Sequence, residues 1–187
     1  KQPSTVGLGK SSVLRATFEI FLTLLRDAQV NPSHITEIVG PDLPHYYGST
    51  DASGVGAGGV WLPCTHWMRP TVWRLEWPQD IVAGIRNGTI PMVDCEFAAY
   101  FIAECMIDEL SEVPVAGLST FLWTDNSPTK HTVQRQASRA TSPMPANALR
   151  WLALRQQWTR RGPQDIEHWE GKTNKMADFA SRSYEEG

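Results

Sequence analysis

The hydrophobic positions near the start of the chain follow the spacing of an amphipathic helix. Apolar side chains recur at mixed intervals of three and four residues over 11–30, and Asn31-Pro32 stops the pattern. The proline-bounded stretch 41–44 is typical of a linker. The pattern therefore predicts an N-terminal helical arm or linker over residues 1–44 and a domain over residues 45–187.

The start of this domain carries strand patterns. A first strand contains Asp51, a tight glycine-rich turn leads to an antiparallel second strand, and Thr71–Trp77 alternates as a third. Gly54, Gly56 and Gly59 also match the spacing G-x-G-x-x-G of dinucleotide-binding proteins. That motif needs a helix to begin within the glycines, whereas the residues that follow indicate a strand. We therefore interpret the glycines as part of a β-hairpin.

The rest of the chain alternates helical and strand patterns. The predicted elements are, in order, a helix over Met92–Leu110, a buried strand over Leu118–Trp123, a helix over Ser142–Arg161, a strand near Ile166–Trp169 and a helix over Lys175–Ser183. Three strands that form a meander, followed by strands separated by helices, predict an α/β fold with a mixed five-stranded sheet and helices on both faces.

Composition narrows the class of protein. A chain of 187 residues with 41% hydrophobic and 20% charged side chains can bury the core of a globular domain. The apolar runs are shorter than the roughly 18 residues that a membrane span needs, and no secretory leader is visible. Three cysteines without a CxxC pair support neither a disulfide framework nor a zinc site. We expect an intracellular location, in the cytoplasm or nucleus, without membrane contact.

Eight tryptophans are many for this length, and we assign most of them to packing in the core rather than to stacking on bases. Those at predicted core positions are Trp61, Trp73, Trp123 and Trp151.

Charge is distributed unevenly along the chain. Residues 1–125 hold 7 basic and 14 acidic side chains, a difference of −7, whereas residues 126–187 hold 10 and 6, a difference of +4. Such a protein can bind metal ions with one half and phosphates with the other, although chance segregation of exposed charges is an open alternative. The candidates for phosphate contacts are Arg150, Arg155, Arg160, Arg161, Lys172 and Lys175.

Four carboxylates stand at positions where a folded sheet can bring them together. Asp51 lies in the first strand, Glu96 in the long helix, Asp125 at the end of a buried strand and Asp178 in the last helix. If the first strand neighbours the strand that ends at Asp125, the four converge, and their repulsion requires divalent cations. Oxygen ligands favour Mg²⁺ or Mn²⁺ over zinc.

The motifs around these acids resemble a known family. They are Thr50-Asp-Ala-Ser53 before the glycines, Asp94-Cys-Glu-Phe-Ala-Ala99, Thr124-Asp-Asn-Ser127, and the run from His168 to Arg182 with the pattern H-x-x-G-x-x-N-x-x-A-D-x-x-S-R. Over about residues 45–183 the sequence resembles the ribonuclease H domain of retrotransposon reverse transcriptases, of the long-terminal-repeat or tyrosine-recombinase type.

The resemblance implies a ribonuclease H-like fold and a metal-dependent endonuclease that hydrolyses the RNA strand of RNA/DNA hybrids, leaving 5′-phosphates. It implies two Mg²⁺ ions, with Mn²⁺ possible, bound by Asp51, Glu96, Asp125 and Asp178, and His168 as a further catalytic residue. The resemblance places Ser53, Gly54, Asn126, Ser127 and Asn174 beside the substrate. Residues 1–44 then come from the preceding polymerase region, and the polymerase domain of the same polyprotein is the expected partner besides the hybrid.

Two other functions are compatible with the same fold. One is a catalytically inactive ribonuclease H-like module with a structural or interaction role, against which the presence of all four acids counts. The other is a transposase-like nuclease that cuts DNA. Such enzymes commonly rely on three acids, so Asp178 favours the ribonuclease.

Overall fold

The structure is a computed structural model that describes residues 13–30, 43–65, 69–111, 114–137, 143–162 and 164–182. They divide between two units. The first contains helix α1 (Val13–Val30), which confirms the helix predicted there. The first two residues of the predicted helix, 11 and 12, lie outside the described residues, and the boundary predicted at residue 44 stays a prediction.

The second unit is built on a five-stranded sheet. Its strands are β1 (Tyr46–Ala52), β2 (Gly56–Pro63), β3 (Thr71–Glu76), β4 (Thr120–Thr124) and β5 (Gln164–His168). They lie in the order β3-β2-β1-β4-β5, with β2 antiparallel to both of its neighbours and β4 parallel to both β1 and β5. The predicted mixed sheet, antiparallel at first and then parallel, is confirmed.

Within the described residues, the α-helices that accompany the sheet are α2 (Gln79–Arg86), α3 (Met92–Leu110), α4 (Ser127–Arg135), α5 (Met144–Thr159) and α6 (Lys175–Arg182), and a short 3₁₀ helix covers Gly171–Thr173. The sequence pattern predicts α3, α5 and α6 but misses α2 and α4. Both missed helices are short, with eight and nine residues, so each offers few turns for an apolar repeat. The start of α4 is nevertheless capped, because Asn126 Oδ1 accepts a hydrogen bond from the Thr129 amide at 2.9 Å.

Two residues of β2 that point to opposite faces of the sheet, Trp61 and Gly58, show that helices pack on both faces. The indole of Trp61 donates to the Ala103 carbonyl of α3 at 3.2 Å. Gly58, which points to the opposite face, lies so close to α6 that a Cβ there would meet the backbone of Ala180 at 2.5 Å. The glycine is required because α6 rests almost directly on the strand.

The core contains only part of the predicted tryptophan set. Trp61 and Trp73 are buried, and Trp123 is partly buried within the sheet. Trp151 is 42% exposed, so its assignment to the core is wrong. It lies on the outer side of α5, where its ring packs edge-on against Phe101 and under the guanidinium of Arg155. An amphipathic pattern does not distinguish such a partly covered surface aromatic from a core residue.

Charge is also present inside the fold. Arg161, only 2% exposed, pairs with Glu104 at 2.5 Å and with Asp108 at 2.9 Å. Arg155 pairs with Asp108 at 2.6 Å. Arg161 therefore cannot contact a phosphate, and that prediction is wrong. Its role is to neutralise two buried carboxylates of α3, which would otherwise be strongly destabilising.

Cys64, Cys95 and Cys105 are free thiols in the structure. Among the described helices, none combines the length and the apolar composition needed to cross a bilayer.

Candidate metal centre

The sheet topology brings two acidic residues side by side. Strands β1 and β4 are parallel neighbours, with Thr50 paired to Thr124. The residue after each of these threonines is an aspartate. Asp51, near the end of β1, and Asp125, directly after β4, therefore lie side by side at the carboxyl ends of the two strands. This is the edge where open α/β sheets bind their ligands.

Helix α3 contributes the third carboxylate. Glu96 lies in its second turn and reaches the same end of the sheet. One carboxylate oxygen from each of Asp51, Glu96 and Asp125 lies within 4.8 Å of the others. Asp51 and Glu96 are buried and Asp125 is partly buried. The structure thus unites three of the four acids that the sequence analysis expected to converge, although they are far apart in sequence.

The electrostatics show that the metal-free cluster is under repulsion. Burial and the Coulomb repulsion of Asp51 and Asp125 raise the pKa of Glu96 to about 8, against an opposing backbone hydrogen bond from Ala52. Burial also raises the pKa of Asp51, together with repulsion from Asp125 and Asp178, while a hydrogen bond from Ser181 opposes the rise. A divalent cation would relieve this repulsion.

A second observation fits a cation at this position. Glu96 Oε2 is buried and has no hydrogen-bond partner within the described part of the chain. A buried carboxylate oxygen without a partner is costly in a folded protein. A divalent cation would give this oxygen a partner. Three neighbouring carboxylates are a set of oxygen ligands suited to Mg²⁺ or Mn²⁺.

The fourth predicted ligand lies beside the cluster but is oriented differently. Asp178 is partly exposed, and its Oδ1 accepts a hydrogen bond from Arg182 Nε at 2.5 Å. Its oxygens are not within 4.8 Å of the other three. Asp178 is still near enough for its charge to raise the pKa of Asp51. Metal binding by Asp178 therefore remains a prediction.

Helix α6 is tied to the sheet at both of its ends. At its start, the buried side chain of Asn174 donates to the Thr50 carbonyl at 3.0 Å. At its end, the Ser53 hydroxyl donates to the Ser181 carbonyl at 2.7 Å. These bonds place Asp178 next to β1. They also occupy the polar groups of Ser53 and Asn174 that were predicted to meet the substrate, so both side chains have structural partners here.

The loop between β5 and α6 closes the site beside Asp125. His168 ends β5, is exposed, and has its Nε2 3.1 Å from the Asp125 carbonyl oxygen. A Cβ at Gly171 would lie 2.7 Å from Asp125 Oδ2. Any larger residue at this position would therefore displace the Asp125 carboxylate.

The remaining predicted substrate residues border the cluster. Gly54 lies in the turn between β1 and β2 with open space around it, and Ser127 is exposed at the start of α4. Asn126 follows Asp125 directly, and its side chain is used as the cap of α4. Contact of these residues with a substrate stays a prediction.

Comparison with known proteins gives fold-level matches only. The sequence matches no family model and no curated protein. Its fold is similar to that of ribonuclease H1 from Halobacterium salinarum, with 13% identity, a TM-score of 0.45 and coverage of 73% of this chain and 92% of that one. For the N-terminal ribonuclease H domain of rv2228c from Mycobacterium tuberculosis the identity is 12%, the TM-score 0.46 and the coverage 72% and 94%.

A third match is the foamy viral protease-reverse transcriptase, whose structure contains an RNA/DNA hybrid. The identity is 13%, the TM-score 0.42, and the match covers 97% of this chain and 22% of that protein.

Gly171, Ser181 and Arg182 belong to the last sequence motif, but the sequence alone predicted no role for them. Ser181 and Arg182 donate hydrogen bonds to acids of the site, and Gly171 leaves the space into which Asp125 Oδ2 projects. The signal was the motif itself, because its G, S and R positions flank the final aspartate in the same segment.

Proposed function

We propose that this protein is a metal-dependent endonuclease that hydrolyses the RNA strand of RNA/DNA hybrids during reverse transcription. The observation that carries the proposal is the cluster of Asp51, Glu96 and Asp125, with oxygens within 4.8 Å of one another and one buried oxygen that has no hydrogen-bond partner among the described residues. The resemblance of the sequence motifs to retroelement ribonucleases H supports the choice of reaction and substrate.

In this proposal the three carboxylates bind the metal, and Asp178 joins them once Arg182 releases it. Two Mg²⁺ ions, or Mn²⁺, supply an activated water and stabilise the charge on the departing 3′ oxygen. The protein's part is to hold the carboxylates in register. The strand pairing of Thr50 with Thr124 fixes the separation of Asp51 and Asp125, and helix α3 brings in Glu96.

His168 is the proposed proton carrier at the rim. Its imidazole is exposed and lies against the backbone of Asp125, next to the point where a phosphodiester would meet the cluster. An imidazole nitrogen at this position can hold or deliver a proton during product departure.

Selectivity for RNA rests on the sugar. Gly54 and Ser127 are the residues of the predicted substrate set whose surroundings are open enough to meet a backbone. Contacts of this kind do not identify bases, so we expect the 2′-hydroxyl and the groove shape to distinguish RNA from DNA. The polymerase domain of the same polyprotein is the proposed partner, and residues 1–44 are the proposed connection to it.

The test is a cleavage assay with the full chain on end-labelled RNA/DNA hybrid, duplex DNA and duplex RNA, with Mg²⁺ or with EDTA. We expect cleavage of the RNA strand of the hybrid with 5′-phosphate ends, in Mg²⁺ only, and none in Asp125→Asn. Equal cleavage of an all-DNA strand would favour the transposase-like alternative. Binding of hybrid without cleavage under any metal condition would favour an inactive module.

A further inference from the structure

The hydroxyl of Ser181, a residue of helix α6, contacts the carboxylate of Asp51. Ser181 has no exposed surface, and its Oγ lies 2.5 Å from Asp51 Oδ2 and 3.0 Å from the Asp178 carbonyl oxygen. A hydroxyl has one proton to donate. The charged oxygen of Asp51 is the nearer and the stronger acceptor, so that proton goes to Asp51 when its carboxylate is ionised.

The position of this hydroxyl is itself restrained. The Ser181 carbonyl accepts the hydrogen bond from Ser53 at the turn after β1, and Asn174 holds the start of the same helix to Thr50. The neighbouring Ala180 packs against Gly58 of β2 without space for an additional carbon. The donor therefore belongs to a rigid element, which is the arrangement expected of a group that orients a metal ligand.

Burial makes this donor hard to replace. Because Ser181 is fully covered, water has little access to take over its bond to Asp51 Oδ2 if the hydroxyl is removed. The carboxylate would then be free to rotate among its acidic neighbours. Its Oδ2 would also lose a hydrogen-bond donor that stabilises the ionised form of the carboxylate.

We propose that Ser181 is a positioning residue of the metal centre: its hydroxyl holds Asp51 in the orientation that receives a divalent cation. This inference rests on the proposed function, since it assumes that Asp51 binds metal. Removing an outer partner of a metal ligand typically weakens metal binding about 10- to 100-fold. We therefore expect Ser181→Ala to reduce the affinity for Mn²⁺ by at least about tenfold.

The experiment measures Mn²⁺ binding to the full chain without substrate, by isothermal titration calorimetry and by the electron paramagnetic resonance signal of free Mn²⁺. Ser119→Ala is the matched control. Ser119 is a buried serine, 4% exposed, that directly precedes β4 at the opposite end of the sheet. Its hydroxyl forms a hydrogen bond with His45. Urea unfolding of each variant measures the loss of stability. If both serines had only a structural role, both variants would lose stability and neither would lose Mn²⁺ affinity selectively.

The outcomes separate the two ideas. Weaker Mn²⁺ binding in Ser181→Ala, with wild-type affinity in Ser119→Ala, supports the positioning role. Wild-type affinity in a folded Ser181→Ala protein overturns that role and leaves the proposed function intact. No Mn²⁺ binding by the wild type overturns the metal centre together with the inference. If Ser181→Ala does not fold, Ser181→Cys retains a donor at the same position, although a weaker one, and must also bind Mn²⁺ more weakly.

Discussion

Replacing Glu96 with glutamine should make the metal-free protein more stable at alkaline pH and change little at pH 5. The carboxyl group of Glu96 is buried between Asp51 and Asp125, and its pKa is raised to about 8 in the folded protein. Above that pH the folded protein must accommodate a buried negative charge beside two others. Glutamine has nearly the same shape and carries no charge.

The expected size follows from the pKa difference. The ordinary pKa of a glutamate carboxyl group, which applies in the unfolded chain, is 4.5, so the folded state binds more protons between pH 4.5 and about pH 8. Stability from this group is therefore present at low pH and is lost as the pH rises through that window. At about 1.4 kcal/mol for each tenfold difference in proton affinity, Glu96 alone lowers the free energy of unfolding by up to about 4 kcal/mol between pH 5 and pH 9.

The assay is urea unfolding in EDTA at pH 5, 7 and 9, comparing the wild type, Glu96→Gln and the exposed control Glu76→Gln. We expect the stability gain of Glu96→Gln over the wild type to grow with pH and to reach several kcal/mol at pH 9. Excess Mg²⁺ should reverse the order at high pH, because the wild type binds the ion more tightly. A pH-independent difference, or equal gains in Glu76→Gln, would refute the reasoning.

Three further predictions test other parts of the structure. Asp51→Asn should abolish cleavage while the metal-free fold stays as stable as the wild type or slightly more so, which activity assays and urea unfolding check together. Arg161→Ala should cost about 3–5 kcal/mol in urea unfolding because the buried carboxylate of Glu104 loses its cation and Asp108 keeps only Arg155, and wild-type stability would contradict that pairing. Gly58→Ala should cost about 1–3 kcal/mol and weaken Mn²⁺ binding by displacing Ala180, whereas Gly54→Ala, with open space around it, should be no less stable than the wild type.

Local patterns were sufficient for the long and strongly periodic elements. Met92–Leu110 is a helix with the bounds that its apolar repeat predicts, and the hairpin of β1 and β2 follows from alternation around a glycine-rich turn. The short helices α2 and α4 escaped because eight or nine residues contain too few turns for a repeat to stand out. Capping by Asn126 was the remaining signal for α4.

The identity of the acids followed from the sequence, but their geometry depended on tertiary contacts. The motifs single out Asp51, Glu96, Asp125 and Asp178, and only the parallel pairing of β1 with β4 makes Asp51 and Asp125 neighbours. Asp178 illustrates the limit. Its place in the last motif predicts a ligand, yet its carboxylate pairs with Arg182, one turn later on the same helix.

Burial of charge was the other property that sequence did not reveal. Arg161 is a surface candidate by composition, because arginine is rarely buried, and it becomes an interior ion pair only when α3 places Glu104 and Asp108 against it. Ser181 is likewise an ordinary helical serine until α6 lies on β1 and brings its hydroxyl to Asp51. Residue types and local periodicity determine what a segment can form and which chemistry it carries. Which groups meet, and which of them lose water, depends on contacts between segments that are distant in the chain.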